Sequence, residues 1–225
     1  MRALTPLEAR VLGVLVEKQH TVPDTYPLSL NALVAGCNQK TARHPVIEAT
    51  DAEVLSAIDG LKSLSLAFEG SSSRVVKFEH NAARGLNVPP PAAALLAVLM
   101  LRGPQTAAEL RLNTERLHKF SDIAAVETVL EELADRYPPR AIKLPRAAGA
   151  REARWAQLLC GDVAPPEHIA PAGESSVGAV ELVALKAELQ RQGEELAALR
   201  GLVHRMAAEL GLPVDAAATP GPGAP

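Results

Sequence analysis

The order in which helical and strand-like stretches follow one another is the feature that most constrains the fold of this chain. In residues 1–88, three stretches with apolar residues at helical spacing precede two short β-like runs, which the Gly70–Ser73 turn joins. Residues 89–160 repeat this order, with a turn at Gly149. Three helices followed by a β-hairpin, twice, is typical of tandem winged helices. The sequence therefore predicts a mainly α fold with short β-hairpin wings (α+β), in which two winged-helix domains pack on each other.

Capping residues predict where the helices begin. Thr5, Thr50 and Thr106 are each followed three residues later by Glu, which is the spacing of a capping box. Ser29 and Ser121 are predicted to cap the second helix of the first repeat and the third helix of the second repeat. The apolar stripes of the two third helices match and lie 72 residues apart: Val54, Ile58 and Leu61, then Val126, Leu130 and Leu133. The predicted strands are residues 66–69, 74–78, 141–144 and 154–159.

Beyond the second repeat the composition changes twice. Residues 161–178 are rich in Ala, Pro and Gly and are predicted to be a linker. Residues 179–212 place apolar residues, with Gln192 as the one polar exception, alternately three and four positions apart. This spacing predicts a coiled-coil helix that forms a homodimer; a single helix folded back onto the domains is the alternative. The tail, residues 213–225, is predicted to be disordered. The predicted dimer contacts are Leu182, Leu185, Leu189, Leu196, Leu199, Val203, Met206 and Leu210.

The beginning of the chain and its cysteines favour a cytoplasmic protein. An early Arg, followed by Pro6 and Glu8, does not fit the core of a signal peptide. The longest apolar run, Ala92–Leu101, has ten residues, whereas a membrane-spanning helix needs about 20, so we expect no membrane partner. Cys37 and Cys160 lie far apart without a neighbouring ligand, and we expect both to be reduced structural thiols.

Motifs that would indicate an enzyme are missing from the sequence. The chain has no P-loop, no Gly-x-Gly-x-x-Gly, no Gly-x-Ser-x-Gly and no His-Glu-x-x-His pattern. Its six histidines occur singly, without a second ligand at a spacing that suits a metal ion. We therefore expect a non-enzymatic protein with no catalytic residues, no metal and no cofactor.

The distribution of charge limits how such a chain could bind DNA. The chain has 23 basic and 26 acidic side chains, a net charge of −3, so no overall positive field attracts nucleic acid. In winged helices that read DNA, the third helix enters the major groove. Here that helix is acidic in both repeats, and the phosphates that line the groove would repel it. Its carboxylates are Asp51, Glu53 and Asp59 in the first repeat and Asp122, Glu127, Glu131, Glu132 and Asp135 in the second.

Basic and amide side chains gather instead in the loops before the third helices and in the second wing. If the chain binds double-stranded DNA, these side chains would contact phosphates and provide affinity with little sequence readout. Solvated charges and local ion pairs are the alternative explanation. The candidate nucleic-acid-binding residues are Gln39, Lys40, Arg43, Arg111, Arg116, Lys119, Arg146, Arg151 and Arg154.

Two functions stay open on these grounds. The first is DNA binding, of the kind that transcription regulators perform, by a dimer that contacts duplex phosphates through loops and wing. The second is a protein–protein adaptor that uses its winged helices as packing surfaces, with the acidic third helices facing a basic or apolar partner. The adaptor hypothesis is an analogy of architecture alone.

Two long motifs in the first repeat add a family resemblance. They are Glu-Lys-x-x-Thr-x-Pro-x-x-Tyr-Pro-Leu at Glu17–Leu28 and Cys-Asn-Gln-Lys at Cys37–Lys40. Together with Ala108–Ala134 and Ile142–Leu159, they resemble the YceH-like family of uncharacterised bacterial proteins, over about residues 4–160. The resemblance implies a tandem winged-helix fold, and it implies no reaction and no catalytic residues.

Overall fold

The computed structural model of the protein describes residues 1–70, 75–146 and 149–161, and the single residues Arg191, Ala197 and Gly201, which are helical. Residues 1–161 lie within one compact unit. Their described part contains seven α-helices and two small antiparallel sheets, which confirms the predicted α+β class. The eight predicted dimer contacts, Leu182 to Leu210, lie outside the described residues, as do nearly all of the predicted linker, coiled-coil helix and tail.

The first half of this unit contains three longer helices and a small sheet. The predicted capping boxes at Thr5 and Thr50 are confirmed, since each side chain accepts a hydrogen bond from the backbone of the Glu three residues later, which reciprocates. Ser29 caps the second helix as predicted. The elements are α1 (Pro6–Thr21), a short 3₁₀ helix (Pro23–Thr25), β1 (Leu28–Ser29), α2 (Leu30–Cys37), α3 (Asp51–Ser63), β2 (Ala67–Gly70), β3 (Lys77–His80) and α4 (Ala82–Gly85).

The second half repeats the order of three helices and two strands. Thr106 forms the predicted capping box. The predicted cap of the third helix, Ser121, is wrong by one residue: Asp122 is the cap, and its Oδ1 accepts a hydrogen bond from the Ala125 N–H at 2.7 Å. Ser and Asp suit this position equally well, so the local sequence does not separate them. The elements are α5 (Pro90–Arg102), α6 (Ala107–Thr114), α7 (Ile123–Ala134), β4 (Ala141–Lys143) and β5 (Trp155–Gln157).

Both halves also pair the segment before their second helix with the last strand, which the sequence does not predict. In the first half the strand order is β1-β3-β2, with Leu28 and Glu69 on opposite sides of Phe78. In the second half β4 pairs with β5, and Gln105, just before the cap of α6, forms an isolated bridge with Trp155. Their backbone N–H groups donate to each other's carbonyl oxygens at 3.1 and 2.7 Å. Gln105 therefore holds the place in the second half that β1 holds in the first.

One hydrophobic core runs through both halves, and α1 and α5 pack together within it. Every residue of α5 from Ala92 to Leu101 is buried, as expected for a helix that is apolar on all sides. Gly13 of α1 permits the close approach of the two helices, because a Cβ there would lie 2.9 Å from Cγ of Leu101 and 3.3 Å from the Ala97 carbonyl oxygen. No helix in the described part of the chain is long and apolar enough to cross a membrane.

Candidate nucleic-acid interface

Arg43, predicted to contact phosphate, is a buried residue in the structure. The loop between α2 and α3 turns at Ala42, whose φ is 58°, and the Arg43 side chain that follows has no exposed surface. Its two terminal nitrogens donate to the Glu17 carboxylate on α1 at 3.1 and 2.6 Å, and its Nε donates to the Gly36 carbonyl oxygen at 3.0 Å. Because protein groups engage this guanidinium in the interior, we exclude Arg43 from the interface.

The other two candidates in this loop differ in exposure. Gln39 is half-buried, and its Oε1 accepts long hydrogen bonds from Nζ of Lys18 at 3.5 Å and from Nη2 of Arg43 at 3.4 Å. Its Nε2 donates to Oγ1 of Thr41 at 3.2 Å. Lys40 is exposed. Of the three predicted residues in the loop, Lys40 is therefore the one whose side chain is accessible to a ligand.

The connection between α6 and α7 carries two exposed cations, Arg116 and Lys119. Arg111, the candidate on α6 itself, is half-buried, and its Nη2 donates to the Ser121 carbonyl oxygen at 3.1 Å. Its Nε is buried and has no partner among the described residues. Arg111 therefore fastens the connection to α6, whereas Arg116 and Lys119 face solvent.

The connection between β4 and β5 carries two more exposed cations, Arg146 and Arg151. Arg154, just before β5, is also exposed but has a counter-charge: its Nη1 lies 3.2 Å from the Glu109 carboxylate on α6. The same nitrogen donates to the Pro104 carbonyl oxygen at 2.8 Å. Arg154 therefore attaches the strand to the helix, and its charge is partly compensated before any ligand arrives.

Exposed carboxylates lie on the third helix of each half, as the sequence indicates. On α3, Asp59 is compensated by Lys62, whose Nζ lies 3.5 Å from it and 2.7 Å from Glu69. On α7, Glu131 and Glu132 are exposed and form no salt bridge with another described residue. The surface of α7 is therefore negative, and it would be repelled by a phosphate-lined groove.

An open cleft lies beside the start of α1 and has no counterpart among the sequence-based predictions. The cleft has a volume of about 490 Å³ and is lined by α1, residues 44–49 and the end of α5, with Glu53, Gln157 and Cys160. Arg10 lines it and is only 3% exposed. The sequence feature that could have indicated it is the position of Arg10, a charged residue next to the apolar run 11–16 and on the buried side of the helix.

Chemically reactive groups are few in the described ranges. No group of three or more His, Cys, Asp or Glu side chains lies together there to hold a metal ion. Cys37 and Cys160 are free thiols, and burial raises the pKa of both, that of Cys37 to about 12. Both thiols are therefore neutral near pH 7, and neutral thiols are weak nucleophiles.

Comparison with known proteins places the chain in a family. A family model described as "Protein of unknown function, DUF480" matches residues 4–150. A UPF0502 protein of Burkholderia pseudomallei is 67% identical over 215 residues, covering 95% of this chain and 92% of the relative. A UPF0502 protein of Cupriavidus taiwanensis is 61% identical over 219 residues, covering 96% of this chain and 90% of the relative. The chain belongs to the DUF480 family of proteins of unknown function.

Proposed function

We propose that this chain is a cytoplasmic, non-enzymatic DNA-binding protein with two tandem winged-helix domains, residues 1–88 and 89–160. The repeated order of three helices and two strands supports this fold. The equivalent positions of β1 and Gln105, each paired with the last strand of its half, support it further. The resemblance to the YceH-like family implies the same fold.

A set of exposed cations in the second domain carries the proposal of DNA binding. None of them forms a salt bridge with another described residue, whereas Arg43 and Arg154 do. Each cation that neutralises a DNA phosphate releases condensed counterions, so surface cations without a carboxylate partner are suited to this role. The proposed contacts are Arg116, Lys119, Arg146 and Arg151, with Lys40 from the first domain.

Neither third helix enters the major groove in this proposal. Glu131 and Glu132 of α7 would face the phosphates on both sides of the groove, and the resulting repulsion opposes insertion. Contacts would therefore be made to the backbone from loops and wing. Contacts of that kind fix the position of the protein on the duplex and read little sequence.

Fluorescence anisotropy with a labelled duplex of mixed sequence, over a series of salt concentrations, tests this proposal. The logarithm of the binding constant should fall with the logarithm of the salt concentration with a slope of about −4.5 for each chain that contacts the duplex, since each of the five phosphate contacts contributes roughly −0.9. Arg116→Ala with Lys119→Ala should reduce the slope by about 2 for each such chain. The control, Lys77→Ala with Arg84→Ala, removes the same charge from the first domain and should leave the slope unchanged. No binding at low salt, or equal losses in the two variants, would contradict the proposal.

We also propose that residues 179–212 form a coiled coil that makes the protein a homodimer. The support is the heptad spacing from Leu182 to Leu210, in which every a and d position is apolar except Gln192. A dimer would present two copies of the cationic set to one duplex, which raises the apparent affinity of weak contacts.

The surface of the second domain also favours a second function, that of a protein–protein adaptor. Leu112 on α6 is 69% exposed and Ile123 on α7 is 43% exposed, and the same domain exposes Glu131 and Glu132. A partner with apolar and basic groups would fit such a surface. Glu131→Lys with Glu132→Lys separates the two functions: the adaptor would lose its stoichiometric partner, whereas the DNA-binding protein would bind duplex more tightly because a repulsion is removed.

A further inference from the structure

The cleft beside α1 has walls that suit an apolar molecule. Its side chains come from α1, from the loop that precedes α3 and from the end of α5, together with Glu53, Gln157 and Cys160. Its volume of about 490 Å³ lies in the range of small-molecule sites, roughly 300–1,000 Å³. The apolar wall residues are Pro6, Leu7, Pro45, Ile47, Leu99 and Met100.

Arg10 brings a positive charge to this cleft without a carboxylate partner. Its Nη1 donates to the Cys37 carbonyl oxygen at 3.1 Å and its Nη2 to the Pro45 carbonyl oxygen at 2.5 Å. Its Nε is buried and has no partner within the described residues. Buried charges are normally paired, because removing an isolated ion from water costs far more than removing a neutral group. Arg10 is therefore a buried cation without an anionic partner among the described residues.

The two carboxylates of α1, Glu8 and Glu17, form ion pairs with other arginines. Glu8 holds Arg2, with nitrogen–oxygen distances of 2.5 and 2.7 Å. Glu17 holds Arg43, with distances of 3.1 and 2.6 Å. Glu17 also lies 3.6 Å from Nζ of Lys18, so its charge is shared between two cations. No carboxylate of α1 is left for Arg10.

The remaining acidic groups at the cleft do not compensate Arg10 either. The Glu53 carboxylate accepts hydrogen bonds from the N–H and the hydroxyl of Thr50, at 2.8 and 2.7 Å. Glu48 is exposed and makes no salt bridge with another described residue. These two carboxylates give the cleft an acidic rim, which repels anions that carry several charges.

We propose that this cleft binds a small organic molecule that has a single carboxylate and an apolar body. The carboxylate would accept hydrogen bonds from the Arg10 guanidinium, and the hydrocarbon would pack against walls such as Ile47 and Met100. One uncompensated positive charge matches one negative charge, and the acidic rim excludes phosphates and nucleotides. The site shares no residue with the proposed DNA contacts, so the two proposals stand or fall separately.

Titration calorimetry of the full chain with three probes tests the chemistry of the ligand. Octanoate, which has one carboxylate and an apolar chain, should bind. Octanamide has the same chain without the charge, and it should bind about tenfold more weakly, because a charge-assisted hydrogen bond is lost. Inorganic phosphate should not bind. Equal affinities for octanoate and octanamide, binding of phosphate, or no binding of octanoate would each overturn the proposal.

Variants test the placement of the ligand. Arg10→Met keeps an unbranched, flexible stem and removes the guanidinium with its charge, so octanoate affinity should fall about tenfold, to that of octanamide. Ile47→Ala should weaken both probes about threefold, because apolar contact is lost. The matched control is Val46→Ala, an exposed neighbour outside the cleft, which should bind both probes like the wild type. If Arg10→Met does not fold, the comparison of Ile47→Ala with Val46→Ala decides, and equal binding by those two variants would overturn the proposal.

Discussion

The guanidinium of Arg43 and the carboxylate of Glu17 form a two-point ion pair, with distances of 3.1 and 2.6 Å, that fastens the loop after α2 to α1. The Arg43 side chain has no exposed surface, and that of Glu17 is 17% exposed. Removing one partner of such a pair leaves the other as an uncompensated buried charge. The pair therefore belongs to the folding of the first half rather than to a ligand surface.

Glu17→Gln should lower the free energy of unfolding by about 3 kcal/mol, because Arg43 would then be buried without a counter-charge. Urea denaturation followed by circular dichroism measures this change. The control is Glu48→Gln, at an exposed carboxylate, which should change stability by no more than about 0.5 kcal/mol. Similar losses in the two variants would show that the ion pair does not stabilise the loop.

Gly13→Ala should destabilise the contact between the two halves. Its Cβ would lie 2.9 Å from Cγ of Leu101 and 3.3 Å from a carbonyl oxygen of α5, so the Leu101 side chain or the helix backbone must shift. Overpacking of this kind costs about 1–3 kcal/mol. Gly70→Ala is the control, since its nearest contact would be the Lys77 carbonyl oxygen at 3.9 Å. A thermal unfolding midpoint as high for Gly13→Ala as for Gly70→Ala would contradict the close helix contact.

Acid should weaken the fold through His80. Its Nδ1 accepts a hydrogen bond from the Ala82 N–H at 3.2 Å, and its Nε2 donates to Oε1 of Gln19 at 2.8 Å. Burial, with a smaller effect of His20, lowers the pKa of His80 to about 4. An unfolded chain has a histidine pKa of about 6.5, so below that pH it binds a proton that the folded protein does not. This contribution to stability is therefore complete above pH 6.5 and is lost as the pH falls towards 4.

Unfolding measured at a series of pH values tests this linkage. Between about pH 7 and pH 4, wild type should lose up to about 3 kcal/mol more stability than His80→Gln, which has no proton to bind. His44→Gln, at an exposed histidine, is the control and should follow the wild-type curve. Parallel curves for wild type and His80→Gln would mean that His80 is not held neutral.

Removal of the residues after Gly161 should convert the protein from a dimer to a monomer. The reason is that the heptad positions from Leu182 to Leu210 all lie in the removed segment. Light scattering should give twice the mass of one chain for the full protein and the mass of one chain for the truncated protein. A monomer in both cases, or a dimer in both, would contradict the coiled-coil proposal.

The positions of the strands and their pairing could be predicted only in part. The predicted strands 66–69 and 141–144 lie within one residue of β2 and β4, because a short apolar run bounded by turn residues is a local signal. By contrast, the pairing of β1 with β3 and of Gln105 with Trp155 is missed. A strand of two residues has no detectable alternation, and its partner lies far along the chain.

The roles of the arginines could likewise be predicted only in part from the sequence. The sequence does not distinguish Arg43 from Lys40 or Arg116, since all three stand in polar loops before a third helix. The structure buries Arg43 on Glu17 and leaves the other two exposed. Arg10 is the opposite case. No sequence motif marks it as a binding residue, yet it lies at the cleft without a carboxylate partner.

The sequence by itself determined where α1, α2, α3 and α6 start and that each half has three longer helices before a pair of strands. Caps such as Thr5, Thr50 and Thr106 form hydrogen bonds with a residue three positions along the chain, so the local sequence is enough to predict them. Only the tertiary structure decided which charges are compensated. A buried charge is stabilised by whatever group the fold brings within hydrogen-bonding distance, and the partner of Arg43 lies 26 residues away.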